Sequence, residues 1–279
     1  MDREMKFSPP SDMDQIYLVG RYELLKHLRS RRLLGMLVIE VVVFILILAI
    51  PPLLGRDYRT DPAAFAQDYY SWVSILVVIG ATLFSGDALV SEFQNRTGYL
   101  IFPNPVKRIT FFFGKYWATL AILLLTLVIF YGLTSLAGLA ITGGVSELAL
   151  GSLGLAILYA ISASALGYFL SSLLKGSTGA LVLTFVVLIL ILPIVNGVLT
   201  VAKVKPSFSL PFAASAIEYI METPYPQDFE RVIDVGGGQI WEVAIYFPEV
   251  ETAVLVMVAW AIICVAMAIW LFNRREMAA

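Results

Sequence analysis

Only a few residues of this chain have the type and placement to do chemistry. Two acids stand inside apolar runs, Glu40 in "LVIEVVVF" and Asp87 in "FSGDALV". A carboxylate at membrane depth is costly, so each marks either a function or a structural pair. Lys115 opens the apolar run that follows Asp87, and an Asp87–Lys115 ion pair is expected. Glu40 lies about two helical turns into its run and requires a polar cavity, a partner or a proton. The one histidine, His27, excludes a multi-histidine metal site, and the one cysteine, Cys264, excludes an internal disulfide. No Walker A lysine motif, H-E-x-x-H or G-x-S-x-G is present, so the chain is not expected to hydrolyse nucleotide or to be an enzyme.

The elements that must position these residues are membrane spans. Hydrophobic residues make up 59% and charged residues 14%, and the mean hydropathy is +0.84. Soluble domains average about 45–50% apolar and about 25% charged. A net charge of −2 gives no basic field for nucleic acid. Six runs are long enough to cross a bilayer: 33–54, 72–90, 110–141, 148–174, 179–202 and 252–272. The third exceeds one bilayer thickness and predicts tilt or an extension beyond it. The expected fold is an all-α polytopic membrane protein with six transmembrane helices. The first run begins too late and is too long for a cleavable signal.

Lysine and arginine set the orientation. With the N-terminus inside, fourteen fall on the inner side and five on the outer, out of nineteen. Both termini are therefore expected in the cytoplasm, with residues 273–279 as a short tail. Residues 1–32 form a tail and an interfacial amphipathic helix. Ser11 and Asp14 make its capping box, Leu18, Tyr22, Leu25 and Leu28 its apolar face, and Arg29, Arg31 and Arg32 its lipid anchors. The outer loop, 203–251, carries a short amphipathic helix and a flexible glycine turn at 236–238.

Between the second and third runs lies "SEFQNRTGYLIFPNPVKR". It predicts a compact cytoplasmic helix over 92–102 with Phe93, Leu100 and Phe102 as apolar contacts. Pro103 and Pro105 stop it, and Lys107 and Arg108 anchor the next span at the headgroups. This suits docking to a soluble protein better than a passive turn. With Glu92, Arg96, Thr97, Gly98, Pro105, Lys107, Arg108, Gly114 and Lys115, the region resembles that of ABC-2 type permeases, the membrane subunits of ATP-binding-cassette transporters.

The resemblance implies a permease that moves substrate with ATP hydrolysed on a separate subunit, usually outward. The chain itself would bind no cofactor, and ATP and Mg would sit on the partner ATPase. Two permease chains, expected as a homodimer, and two ATPases would assemble in the cell membrane of a prokaryote. Residues 91–108 would hold the coupling helix, with Glu92, Phe93, Arg96, Thr97, Gly98, Tyr99, Phe102, Pro103 and Pro105 meeting the ATPase. The second and fifth spans would line the path. Two other readings stay open: a non-transporting membrane anchor or sensor, and an intramembrane aspartyl protease, whose glycine–aspartate signature "FSGDALV" resembles. In the protease reading Phe84 replaces the first glycine, and no second aspartate lies in any run.

Overall fold

Capping side chains divide the N-terminal region into two helices. In the computed structural model, which describes residues 11–95, 106–236 and 239–275, α1 runs Asp12–Leu28 and α2 Arg31–Leu53. The Ser11 hydroxyl accepts from the Asp14 amide at 3.2 Å, one half of the expected capping box, and donates to the Asp14 carboxylate at 2.6 Å. Ser30 marks the break between the helices. Its hydroxyl donates to the His27 carbonyl at 2.7 Å and accepts from the Leu33 amide at 3.2 Å.

The second span is a broken helix. Asp61 and Pro62 start α3 (Pro62–Tyr70), α4 follows over Val73–Ser85, and α5 is the short Val90–Gln94. The break after Ser85 is held from outside, because the Leu89 and Val90 amides both donate to the Ser171 hydroxyl at 3.0 Å. Two backbone donors that the interrupted helix would orphan are thus satisfied in a place without water.

The third span, α6 (Arg108–Thr142), has 35 residues, about 52 Å of helix against a hydrocarbon core of about 30 Å. It must therefore tilt or extend beyond the apolar slab, as its length predicts. Then come α7 (Leu148–Leu173), α8 (Ser177–Val186), a π-helical turn (Val187–Ile191), α9 (Leu192–Val201) and the last span, α12 (Val250–Arg274). Among the described residues, six stretches are long and apolar enough to cross a membrane.

Burial differs sharply among them. About 78% of the second span's apolar window and 67% of the fourth's are buried within the chain, against 17% for each of the first, fifth and sixth. The core is therefore spans two and four with half of α6, filled by Tyr69, Tyr70, Phe84, Phe130, Tyr159 and Tyr168. A β-carbon on Gly167 of α7 would fall 2.0 Å from the Ser85 hydroxyl, so α4 and α7 touch at backbone distance. Of the second span's aromatics, Tyr69, Tyr70 and Phe84 fill this core, whereas Trp72 is exposed.

The loop between α9 and α12 holds more structure than its sequence suggests. Two short helices, α10 (Leu210–Ala214) and α11 (Ala216–Tyr219), occupy the expected amphipathic segment. They dock on α7, where Ser152 donates to the Ile217 carbonyl at 2.7 Å. Beyond them, β1 (Phe229–Gly236) and β2 (Gln239–Ile245) pair antiparallel, Phe229 opposite Ile245. The two strands flank the expected glycine turn, whose residues 237 and 238 lie outside the described residues, and the sequence reading missed their pairing.

Candidate functional site

The charged residues gather where α1 crosses the overhanging start of α6. That crossing is close because two glycines meet. A β-carbon on Gly20 would sit 3.1 Å from the Gly114 carbonyl oxygen, and one on Gly114 would sit 2.7 Å from Val19 and 3.0 Å from the Ile16 carbonyl. The helix α1 turns an unusual face to α6. Gln15 and His27 are buried and Glu23 nearly so, whereas Met13, Tyr17, Leu18 and Tyr22 are exposed. Polar residues inward and apolar residues outward is the arrangement of a helix whose free side meets lipid.

Next to Gly114 on α6, Lys115 is 1% exposed. Its ammonium lies 2.6 Å from Glu92 Oε1 in α5 and 3.1 Å from Glu23 Oε1 in α1. Three elements thus share one buried cation, flanked by two carboxylates, and Lys26 adds a contact of 2.9 Å to Glu23. Burial alone pushes the Glu23 carboxyl up, but Lys115 and Lys26 overcome this and hold it at about 2, against an ordinary 4.5. His27 stands 3.9 Å from Glu23, with its ring edge-on to Phe84. Burial pushes it down to about 4 from an ordinary 6.5, with Glu23 opposing and Lys26, Lys115 and Arg32 assisting.

A second cluster lies beside the first. Arg32 of α2 donates to both oxygens of Asp87, at 2.8 and 2.7 Å, and to the Leu83 carbonyl at 2.8 Å. Ser177, at the start of α8, donates to Asp87 at 3.2 Å. The expected Asp87–Lys115 pair is therefore corrected. Asp87 falls in the break of the second span and faces α2, whereas Glu92, one turn on, faces α6. Fork-to-fork geometry with Arg32 makes Asp87 a structural ion-pair partner.

The other singled-out residues find various places. Phe93 packs edge-on to Phe272 and under the Arg275 guanidinium, 4.4 Å away, so it roots α5 on α12. The Glu92 side chain is buried, and that of Phe93 is half-buried. The helix α5 ends at Gln94, with Asn95 as its cap, so a continuous helix from 92 to 102 is not what the described part forms. Arg96, Thr97, Gly98, Tyr99, Phe102, Pro103 and Pro105 lie outside the described residues. Lys107 meets Asp12 at 2.6 Å. Arg108 donates to the carbonyls of Phe272, Asn273 and Arg275 at 3.0, 3.0 and 2.7 Å, capping the C-terminus of α12. Of the expected lipid anchors, Arg29 and Arg31 are exposed, while Arg32, Lys107 and Arg108 bind protein. Glu40 is 1% exposed beside Thr126, in a void of about 10 Å³, and its Oε2 has no partner among the described residues.

Glu23, Ser171 and Ser177 were not singled out from sequence. A signal existed for Glu23: Gln15, Glu23 and His27 recur every fourth or eighth residue and mark one polar stripe on α1. That stripe is the buried one.

This constellation ties the exit of the second span to the start of the third through a buried cation. The sequence pattern of ABC-2 family transporter proteins matches residues 56–270. The chain belongs to the ABC-2 transporter family. No curated protein matches it in sequence. As an ABC-2 family member it is a multi-pass permease subunit of an ABC transporter, a kind of subunit that pairs with an ABC ATPase. The match takes in Asp87, Glu92, Gly114 and Lys115. The helix α1, with Glu23 and His27, precedes it.

Proposed function

We propose that this ABC-2 permease is the membrane half of an ATP-driven exporter, and that residues 91–108 receive the stroke of a separate ATPase. The single observation that supports the coupling role is Lys115, fully buried and bridging Glu92 to Glu23. A push on the segment after α5 reaches Glu92 first. Through Lys115 it reaches α6 and α1, and through Phe93 it reaches α12. Spans so linked move as one body, which suits alternation between two packed states better than local flexing. Glu92 and Phe93 then serve as roots of the lever, and the contact with the ATPase falls to the residues that follow. ATP and Mg belong to that partner, with a second copy of this chain completing a two-plus-two assembly in the cell membrane of a prokaryote. The lysine and arginine distribution supports cytoplasmic termini.

The test uses reconstituted permease with its ATPase. Removing Lys115 alone leaves two buried acids uncompensated and costs about 3–5 kcal/mol, so the informative variant is the neutral triple E23Q/E92Q/K115M. It is expected to fold and to bind the ATPase, while cargo-stimulated ATP hydrolysis falls by about tenfold, one interaction of about 1.4 kcal/mol. Full stimulation in that folded complex would rule out the bridge as a coupling element.

A further inference from the structure

At the opposite end of the bundle, the last turns of α2 splay from α3 and leave an open groove of about 490 Å³. That is within the size range of small-molecule sites, about 300–1,000 Å³. Its wall is apolar, built by Leu46, Ile47 and Ile50 of α2 and Phe65 of α3. Its rim is charged: Arg56, Asp57 and Arg59 from the connecting loop, and Asp68 from α3. The apolar span ends at Leu53, so this rim stands at headgroup level with the acyl region beneath it. The Tyr58 hydroxyl donates to the Leu48 carbonyl at 2.9 Å and holds the loop over the groove.

The rim charges sort into a pair and two single groups. Arg59 meets Asp68 at 3.3 Å. Arg56 and Asp57 are exposed neighbours that make no ion pair among the described residues. One free cation beside one free carboxylate, over an apolar trough, is complementary to a headgroup carrying both charges.

We propose that this groove holds one phospholipid with a phosphoethanolamine headgroup: phosphate on Arg56, primary ammonium on Asp57, one acyl chain along Leu46, Ile47 and Ile50. The headgroup of phosphatidylglycerol would meet Arg56 through its phosphate but bring no cation to Asp57. A quaternary ammonium has no N–H to donate to the carboxylate. The site stands apart from the transport reading, since it requires only that α2 spans a bilayer.

The full-length chain, reconstituted in nanodiscs of equal parts phosphatidylethanolamine, phosphatidylglycerol and phosphatidylcholine, is released into mild detergent and weighed by native mass spectrometry. One retained phosphatidylethanolamine is expected. Arg56→Gln and Asp57→Asn should each lower its retention about tenfold, the size of one charge-assisted contact. Leu46→Trp, which fills the trough from a half-exposed position, should lower it too, and Glu147→Gln on another loop should not. A thermal unfolding midpoint equal to the parent's certifies each variant as folded. A preference for either other lipid, no retained lipid, or undiminished retention in both rim variants overturns the proposal.

Discussion

Burial of Glu23 and His27 against α6 moves their two titrations the same way. Both groups bind protons less readily folded than unfolded, His27 at about 4 instead of 6.5 and Glu23 at about 2 instead of 4.5. The unfolded chain therefore takes up more protons on acidification, and stability falls as pH falls. The His27 contribution is fully present above pH 6.5 and is lost on the way down to about 4. The Glu23 contribution is present above 4.5 and is lost towards about 2. For His27 the loss amounts to about 3 kcal/mol, from 1.36 kcal/mol per pH unit. Thermal unfolding in detergent, followed from pH 7.5 to 4, is expected to show the midpoint dropping from near pH 6.5 downward. His27→Gln should flatten that slope. An equal slope in the variant would place the acid-sensitive group elsewhere. At this scale the sequence was half legible. Lys115, Asp87 and Glu92 stand out as charges next to apolar runs, but which acid meets which base depends on the break after Ser85. That break rests on the Ser171 hydroxyl, 82 residues from Leu89, 81 from Val90 and two spans away.

The crossing of α1 and α6 is an element-scale feature, and it rests on Gly114. A side chain there meets backbone, the Ile16 carbonyl, as well as Val19, so α1 must lift rather than a rotamer turn. Gly132, in the same helix, has nothing within 4 Å. Gly114→Val is thus expected to cost about 1–3 kcal/mol by overpacking, whereas Gly132→Ala should be neutral or stabilising by about 0.5–1 kcal/mol. Hydrogen exchange separates a local from a global effect. Amides of α1 should exchange faster in Gly114→Val while α7 stays protected, and unchanged α1 protection would count against the close crossing. Length and hydropathy made the six spans legible to within a few residues, apart from the second. Its start at Pro62 is hidden because "AAFAQDYY" is too polar to read as membrane. The hairpin went unread for another reason. "RVIDV" and "QIWEVAI" alternate as strands do, on either side of a glycine turn, yet they sit in a loop weighted by proline and acid.

At the scale of the whole molecule, the two ends of the bundle differ in kind. At the α1 end, the buried Lys115 ion pairs tie α1, α5 and α6 together, the Arg32–Asp87 pair and the Ser177 hydrogen bond hold α2 and α8 to the break of the second span, and Arg108 adds α12. At the hairpin end the ion pairs are exposed, Lys205 with Asp228 and Arg59 with Asp68. Exposed pairs contribute little, about 0–1 kcal/mol. The stiff end is thus the one suited to take a mechanical input, and the open groove lies at the other. This assignment requires the α1 end to face the ATPase, hence the cytoplasm. Single cysteines in a Cys264→Ala background decide it: Gln227→Cys at the hairpin end and Lys26→Cys on α1, both at exposed positions. In intact cells a membrane-impermeant thiol reagent is expected to label Gln227→Cys and to reach Lys26→Cys only after permeabilisation. The reverse pattern would put the buried Lys115 bridge on the wrong side of the membrane for an ATPase, and the coupling route through Glu92 would fail with it.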